Sequence, residues 1–227
     1  MKYNFNIIIK RTNRLKTVSF LVKNQEVIIS VPKFVSDSEV NSLIEDKIRW
    51  IKKKLYSDNI NNKILKRKYI NGEKFLYFGD EYTLKILNAS KDNIYLEGNY
   101  IVVEIKNIFD TTSIKKIIKT WYMSESKKYL IKTNNYYEIL IGESVNKLLF
   151  GEYKSKWGSC NSKRTVSYDW RIIMAPLEVI HYLIIHELCH IAHPNHSKYF
   201  WSTVEKFMLD YKIQKQWLRK NSNKLFF

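Results

Sequence analysis

One apolar segment, residues 176–191, most restricts how this chain can fold. Aliphatic side chains occur all round this predicted helix rather than on one stripe, and a helix of that kind is buried. The segment nevertheless carries His186, Glu187 and His190. Polar groups on a buried helix destabilise the fold unless they have partners. Ligation of a metal would supply such partners.

The spacing of the two histidines indicates which metal this is. His186 and His190 are four residues apart, so both rings project from one face of the helix, one turn apart. Two imidazoles at this spacing can bind one zinc ion, and Glu187 can lie beside the metal without ligating it. This H-E-x-x-H arrangement is typical of zinc-dependent hydrolases. We therefore predict a zinc (Zn2+) site with His186 and His190 as ligands and Glu187 as the catalytic base.

The third ligand is predicted to be His196, six residues beyond His190. A residue before proline is pushed out of the helical region, so the helix should end near His193. Asn195 tolerates the left-handed conformation, which would reverse the chain and direct His196 back at the metal. Two alternatives stay open for this ligand, namely Glu205 on the following helix and His193 itself.

Three other side chains that can bind metals are interpreted differently. His181 lies five residues before His186, so it points to another face of the helix and is expected to have a core or surface role. Cys189 points about 100° away from each neighbour on the helix and is expected to be a small buried hydrophobe. Cys160 lies in a Gly-Ser-Cys loop and could be a fourth ligand, but it would then close the position that catalysis needs.

The bulk composition excludes several classes of protein. At 227 residues and 45% hydrophobic content, the chain can form a real core and is not disordered. No apolar run approaches the ~20 residues that a membrane span needs. The N-terminus lacks the apolar core of a signal peptide, and two cysteines do not make a disulfide framework. We expect a cytoplasmic protein with reduced thiols and no membrane association.

The net charge of +17 has two interpretations. A basic protein is attracted to nucleic acid and to acidic substrates, so association with nucleic acid is possible. However, lysines outnumber arginines by 32 to seven, and proteins that read nucleic-acid sequence rely on arginine for bidentate contacts. The chain is also rich in Asn, Ile and Tyr, which indicates a compositional bias rather than a charged site.

The remaining pattern predicts an α+β protein in two parts. Residues 1–108 are predicted to form a mostly β region with one helix, which follows a capping box at Ser36 and Glu39 and ends at about residue 56. Residues 109–227 are predicted to form a mostly helical domain with a short sheet. Its predicted elements are helices at about 112–133 (ended by a turn at Asn134-Asn135), 176–191, from Ser197, and 213–220, with strands at 146–153 and 164–170.

Several motifs resemble those of the YgjP-like metal-dependent hydrolases. They are KWGSC at 156–160, WRIIMAP at 170–176, HELCH at 186–190 and NHSxxFW at 195–201, and the resemblance extends to WIKKK at 50–54. It implies a zincin-like domain of the small gluzincin type, related to the SprT and WLM proteases. It further implies that His186, His190 and His196 bind zinc and that Glu187 is catalytic, but it names no substrate. Tyr168-Asp169 stands where members of the family often have a pair ending in Asn.

Three functions are compatible with these features. The first is a zinc metallopeptidase that cleaves a peptide or protein substrate, and this is the function we favour. The second is a zinc-dependent hydrolase of nucleotide phosphoanhydrides, which the basic charge suits, although no Gly-rich phosphate loop is present. The third is a DNA-associated accessory protein with a structural zinc. Glu187 argues against a purely structural site, because structural zinc needs no general base.

The sequence indicates less about which residues surround the predicted site. Candidate donors to an oxyanion are Tyr168, Tyr199 and Lys156. The strand beside Trp157 could pair with an extended peptide as an added edge strand.

Overall fold

The computed structural model describes residues 3–23, 25–62 and 67–227, and the side chains of 57–62 lie outside that description. Within these ranges the fold is mixed α/β, with five α-helices and three small sheets. The chain divides into two compact units, Met1–Lys66 and Arg67–Phe227.

The first unit is a small sheet packed on one helix. Strands β1 (Asn6–Thr12), β2 (Ser19–Lys23) and β3 (Glu26–Pro32) form a sheet in which β3 is central, parallel to β1 and antiparallel to β2. Helix α1 spans Asp37–Asn62, six residues beyond its predicted end. Alternate residues of β3 and helically spaced residues of α1 form the core, namely Val27, Ile29, Val31, Val40, Ile44, Ile51 and Leu55.

The predicted capping box at the start of α1 is confirmed. The Ser36 backbone N–H donates to Glu39 Oε2 at 2.8 Å, and the Glu39 N–H donates back to Ser36 Oγ at 3.3 Å. These reciprocal bonds satisfy N–H groups that the first turn of a helix leaves unpaired. They also lower the pKa of Glu39, because they favour the charged carboxylate.

The second unit begins with a four-stranded sheet. Its strands are β4 (Lys74–Tyr77), β5 (Asp80–Asn88), β6 (Asn93–Glu97) and β7 (Tyr100–Ile105), in the order β4-β5-β7-β6. Strands β5 and β7 are parallel, and the other pairs are antiparallel. Helix α2 follows over Thr111–Ile141, with Asp110 as N-cap and Gly142 as a left-handed C-cap.

Helix α2 runs two turns past its predicted end, so the predicted turn at Asn134-Asn135 is wrong. Asn134 is fully buried. Its side-chain amide donates to Glu138, and its Oδ1 accepts a 2.9 Å bond from the hydroxyl of Tyr168. An asparagine whose polar atoms are satisfied by a side chain one helical turn away and by a tertiary partner loses its usual tendency to end a helix.

The rest of the second unit carries the predicted site. Strands β8 (Lys147–Gly151), β9 (Gly158–Cys160) and β10 (Thr165–Asp169) form a sheet with β10 in the centre and β9 at one edge. A 3₁₀ turn over Trp170–Met174 leads into helix α3 (Leu177–Ala192), and α4 (Lys198–Phe207) and α5 (Tyr211–Asn221) follow. A second 3₁₀ turn spans Ser222–Leu225.

One hydrophobic core joins the β4–β7 sheet to the helices of the second unit. Phe75 and Ile101 from the sheet belong to the same buried cluster as Ile118 of α2 and Ile184 of α3. The chain therefore divides into its compact units between Lys66 and Arg67, and the predicted domain boundary at residue 108 stays a prediction. A shared core of this kind depends on contacts between distant residues, which local patterns do not report.

Helix α3 is the buried helix that its composition predicts. Its aliphatic side chains have no exposed surface at Val179, Ile180, Ile184, Ile185 and Leu188. Among the described helices, none combines the length and the apolar character that a membrane crossing requires.

The turn between β4 and β5 holds the start of α3. The backbone N–H of Phe78 donates to Ile173 O at 2.9 Å, and that of Gly79 donates to Met174 O at 3.2 Å. Gly79 has a φ of +88°, and a Cβ added there would lie 2.9 Å from Pro176 Cα. The turn thus needs glycine both for its conformation and for its close approach to α3.

We expect Gly79→Ala to lower the free energy of unfolding by about 1–3 kcal/mol more than Gly98→Ala. Gly98 also has a positive φ, +54°, but a Cβ added there meets nothing within 4 Å. The control therefore reports the conformational cost alone, and the difference reports the contact with Pro176. Urea unfolding of both variants measures this difference, and equal losses would show that the turn does not hold α3.

Candidate metal centre

The two helical ligands and the glutamate occupy the last two turns of α3. The helix ends where the residue before proline was predicted to end it, at His193, which has extended backbone angles (φ −128°, ψ 92°). The chain then turns, and Ser197 caps α4 by accepting a 3.3 Å bond from the Phe200 N–H. Asn195 does not adopt the left-handed conformation expected of it. The reversal instead uses the extended His193 and a 2.9 Å bond from the Ser197 N–H to Asn195 O.

Three histidines converge at this turn. One ligand atom from each of His186, His190 and His196 lies within 4.8 Å of the others. The Nε2 atoms of His186 and His196 are 3.1 Å apart. Nitrogens at 2.0–2.1 Å from a tetrahedral zinc lie about 3.3 Å from one another. The donor set and its spacing therefore fit a zinc ion.

Hydrogen bonds on the far side of the rings orient two of these histidines. His190 Nδ1 lies 3.1 Å from the carbonyl oxygen of His193, and a protonated Nδ1 can donate to it. His186 Nδ1 lies 3.4 Å from the hydroxyl of Tyr182. Bonds of this kind fix the ring and its tautomer, and they leave Nε2 as the metal-binding nitrogen.

Burial keeps the helical imidazoles in the neutral form that a metal needs. It lowers the pKa of His186 to about 3, and His190, His196 and Lys215 add smaller effects of the same sign. It also lowers the pKa of His190, against the opposing effect of the bond to His193. A neutral imidazole keeps its lone pair for ligation.

Aromatic rings pack around the three imidazoles. The centroid of the buried Phe200 lies 4.9, 4.5 and 4.8 Å from those of His186, His190 and His196. Trp201 stacks on His196 at 5.4 Å with an interplanar angle of 18°. Both aromatics come from the first turn of α4, so the capping of α4 by Ser197 also fixes the wall of the site.

Glu187, which follows His186 in α3, is buried, with 4% of its surface exposed. Burial raises its pKa to about 8, and the positive charge of Lys156 partly opposes that rise. The carboxylate lies against the backbone of Gly158 in β9. A Cβ added at Gly158 would lie 2.6 Å from Glu187 Oε1 and 2.7 Å from Glu187 Cγ. Glu187 thus occupies space that exists only because residue 158 has no side chain.

Sequence reasoning missed a buried ion pair that holds this part of β9. Asp169 and Arg171 are 0% and 5% exposed, and Arg171 Nη2 lies 2.6 Å from Asp169 Oδ2. The Asp169 backbone N–H donates to Trp157 O at 2.7 Å. The Arg171 guanidinium lies over the rings of Trp157 and Phe226, at 5.5 and 4.9 Å. The signal available in the sequence was an acidic and a basic residue, Asp169 and Arg171, two positions apart at the end of a predicted strand.

The C-terminal residues also support Trp157. Its indole Nε1 donates to Ser222 Oγ at 3.0 Å, in the last 3₁₀ turn. The start of β9, where Gly158 lies, is therefore held both by the Asp169–Arg171 pair and by Ser222. The space that Glu187 fills beside Gly158 is held in the same way.

The other candidate ligands lie apart from the triad. Glu205 pairs with Lys212 at 3.6 Å, and Cys160 Sγ donates to Asn161 O at 3.6 Å. His193 contributes its carbonyl to His190. Cys189 is fully buried, as expected, and burial raises the pKa of its thiol to about 12.

His181 lies on another face of α3, as its spacing predicts. Its Nε2 is 2.8 Å from the hydroxyl of Tyr129, and its Nδ1 is 3.2 Å from that of Tyr137. Both ring nitrogens therefore have partners on α2, and burial lowers the pKa of the ring. This histidine joins α2 to α3.

The three candidate oxyanion donors differ in their surroundings. The buried Tyr168 donates its hydroxyl to Asn134, and Tyr199 is 76% exposed. Lys156 Nζ donates to Ser159 Oγ at 2.7 Å and lies close enough to Glu187 to lower its pKa. Lys156 is thus the candidate that brings a positive charge to the site.

Comparison with known proteins identifies the family. Residues 16–221 match the family model described as YgjP-like, metallopeptidase domain. The chain belongs to the YgjP-like family. The resemblance inferred from the motifs is thereby confirmed, and a YgjP-like metallopeptidase domain implies a hydrolase that uses a divalent metal and acts on a peptide or protein.

Other comparisons add little to this YgjP-like assignment. The crystal structure of the metallopeptidase zymogen of Pyrococcus abyssi abylysin is 21% identical and covers 40% of this chain and 93% of that chain, with a TM-score of 0.37. A comparison with curated proteins found no match.

We expect His186→Ala, His190→Ala and His196→Ala each to lose the bound metal, because each removes one of three ligands. His181→Ala is the matched control, since it removes a histidine from the same helix that binds tyrosines instead. Elemental analysis of purified variants measures the loss. Full metal content in any of the first three, or loss in His181→Ala, would refute the ligand set.

We expect Gly158→Ala to keep the metal and to lose hydrolytic activity, because the added methyl group displaces the Glu187 carboxylate while the three imidazoles stay in place. Gly151→Ala in β8 is the control, since a Cβ there meets only the ring of Tyr153, which can move. Metal content and hydrolysis are measured on both variants. An active Gly158→Ala would show that Glu187 does not need its present position.

Proposed function

We propose that this protein is a zinc metallopeptidase in which Glu187 is the general base. The observation that carries the proposal is the convergence of three imidazoles, two of them on the helix that also carries the buried Glu187. Residues 109–227, which supply all of these side chains, are our proposed zincin-like domain.

His186, His190 and His196 would hold the zinc ion. When bound, zinc acts as a Lewis acid and lowers the pKa of a bound water toward ~7. Three protein ligands leave a fourth position for that water, which distinguishes catalytic from structural zinc sites. Cys160 does not fill that position, because its Sγ donates to Asn161 O.

Glu187 would move the proton. A carboxylate with its pKa raised by burial accepts a proton more readily than an exposed glutamate does. We infer that Glu187 removes a proton from the attacking water and then delivers it to the leaving amine. The close approach of the carboxylate to Gly158 restricts where it can lie, which would favour both transfers.

Lys156 is our candidate for charge stabilisation. Its ammonium group donates to Ser159 and lowers the pKa of Glu187, so it can supply a positive charge to the site. A preorganised cation stabilises an oxyanion that develops at the scissile carbonyl.

The edge of β9 offers a way to bind the peptide backbone. One side of β9 pairs antiparallel with β10, with Gly158 opposite Tyr168 and Cys160 opposite Val166. Because β9 ends the sheet order β8-β10-β9, its other side can pair with an extended chain. A substrate bound there would pass beside Glu187, which lies against Gly158 in the same strand.

We expect Glu187→Gln to keep zinc and fold and to reduce peptide hydrolysis by about 10²–10⁴-fold, because it removes the base and spares the ligands. The measurement is cleavage of a denatured protein by wild-type and variant protein of equal zinc content. Chelation of zinc should abolish the wild-type activity, and added zinc should restore it.

Parallel incubations distinguish this proposal from the other two functions. Release of phosphate from a panel of nucleoside triphosphates, with no peptide cleavage, would replace the peptidase by a phosphoanhydride hydrolase. Binding of DNA without turnover, weakening steeply with salt, would indicate an accessory protein. Full activity of Glu187→Gln would refute the assignment of the base.

A further inference from the structure

A basic cleft lies next to the three histidines and has no role in the mechanism above. It has a volume of about 400 Å³ and lies between α4 and α5. Its lining residues are Trp201, Tyr211, Lys212, Lys215, Gln216 and Arg219.

The cleft and the metal centre share one wall. The indole of Trp201 stacks on both His196 and Tyr211, at centroid distances of 5.4 and 5.2 Å. Both stacks are close to parallel, with interplanar angles of 18° and 14°. A group bound in the cleft against Trp201 is thus one ring contact away from His196. One or two residues of an extended peptide, at about 3.3 Å each, span such a distance.

Three positive charges project from one face of α5 into this cleft. Lys212, Lys215 and Arg219 are spaced by three and four residues, which places them along one helical stripe. The lining includes no carboxylate. The acidic side chains close by already have partners, since Glu205 pairs with Lys212 and Asp210 accepts a 2.7 Å bond from Gln214.

Lys215 packs over Trp201 and is otherwise exposed. Its Nζ lies 3.8 Å from the centroid of the Trp201 ring. A cation–π contact of this length orders the ammonium group above the shared wall. Arg219, one turn further along, adds a planar guanidinium that can bind a carboxylate with two parallel bonds.

We propose that this cleft binds a carboxylate of the peptide substrate, and that Lys215 and Arg219 select for it. The inference rests on the proposed peptidase function. A carboxylate fits because it is the anionic group that a peptide carries, as an acidic side chain or as a C-terminus. The cleft's volume of about 400 Å³ can hold one such side chain.

Binding to zinc-loaded Glu187→Gln tests the proposal without turnover. The first probes are fluorescein-labelled neutral decapeptides that carry one Glu, at a different position in each peptide, and each is compared with the same peptide carrying Gln there. The second probes are one neutral decapeptide with a free C-terminus and the same peptide with an amidated C-terminus. Fluorescence anisotropy measures Kd. We expect about tenfold tighter binding of the acidic member in at least one pair, which is the range of a charge-assisted hydrogen bond. If a Glu peptide binds more tightly than its Gln form, the carboxylate is a side chain. If the free C-terminus binds more tightly than the amidated one, the carboxylate is a C-terminus.

Two double variants, each added to Glu187→Gln, locate the effect. Lys215→Met with Arg219→Met keeps the aliphatic stems and removes both charges, and we expect it to abolish the preference without weakening binding of the neutral peptides. Lys127→Met with Lys132→Met removes two exposed lysines of α2 and should keep the preference. Equal zinc content and equal thermal midpoints confirm that all forms are folded.

Several results would overturn the proposal. These are no binding of the peptides, no preference for the acidic member, a preference that survives in the cleft variant, or one that is equally lost in the control. Binding of nucleoside triphosphates or single-stranded DNA that depends on Lys215 and Arg219, without a peptide preference, would assign the cleft to phosphate ligands instead. If the variant prefers the carboxylate peptides but the wild-type protein cleaves no peptide, the peptidase function is refuted. The assignment of the cleft as a carboxylate-binding site then still holds.

Discussion

The burial of α3 is the constraint on which the rest of the second unit depends. Its aliphatic side chains pack against α2, the β4–β7 sheet and the helices that follow, and they fix the helix before any ligand binds. That packing fixes the positions of His186, Glu187 and His190. The turn at Gly79 and the pair His181–Tyr129 then hold α3 at its start and along a second face.

The proximity of His186 and His190 could be predicted because helical spacing is a local property. Residues four apart on a helix share a face wherever the helix lies, so the two rings could be placed together before the fold was known. The end of α3 at His193 was predictable for the same reason, since the effect of a following proline is local. His196 was predicted from its distance along the chain, and the structure brings it to the same point.

Features that depend on distant residues were not predictable. Asn134 looks like a turn residue until Tyr168 and Glu138 satisfy its amide, and only then is it compatible with the interior of α2. The need for glycine at position 158 arises from Glu187, 29 residues away in sequence and in contact in space. The stack of His196, Trp201 and Tyr211 joins a loop and two helices, and no spacing rule indicates it.

The three imidazoles come from two kinds of structure, and this has a consequence for how the protein would become active. Two come from a helix already fixed by core packing, and the third, His196, comes from an exposed turn. Small zinc fingers differ, because they are unfolded without their metal. With the proposed ligand set, the supply of metal in the surroundings would change the fraction of molecules that is active far more than the fraction that is folded.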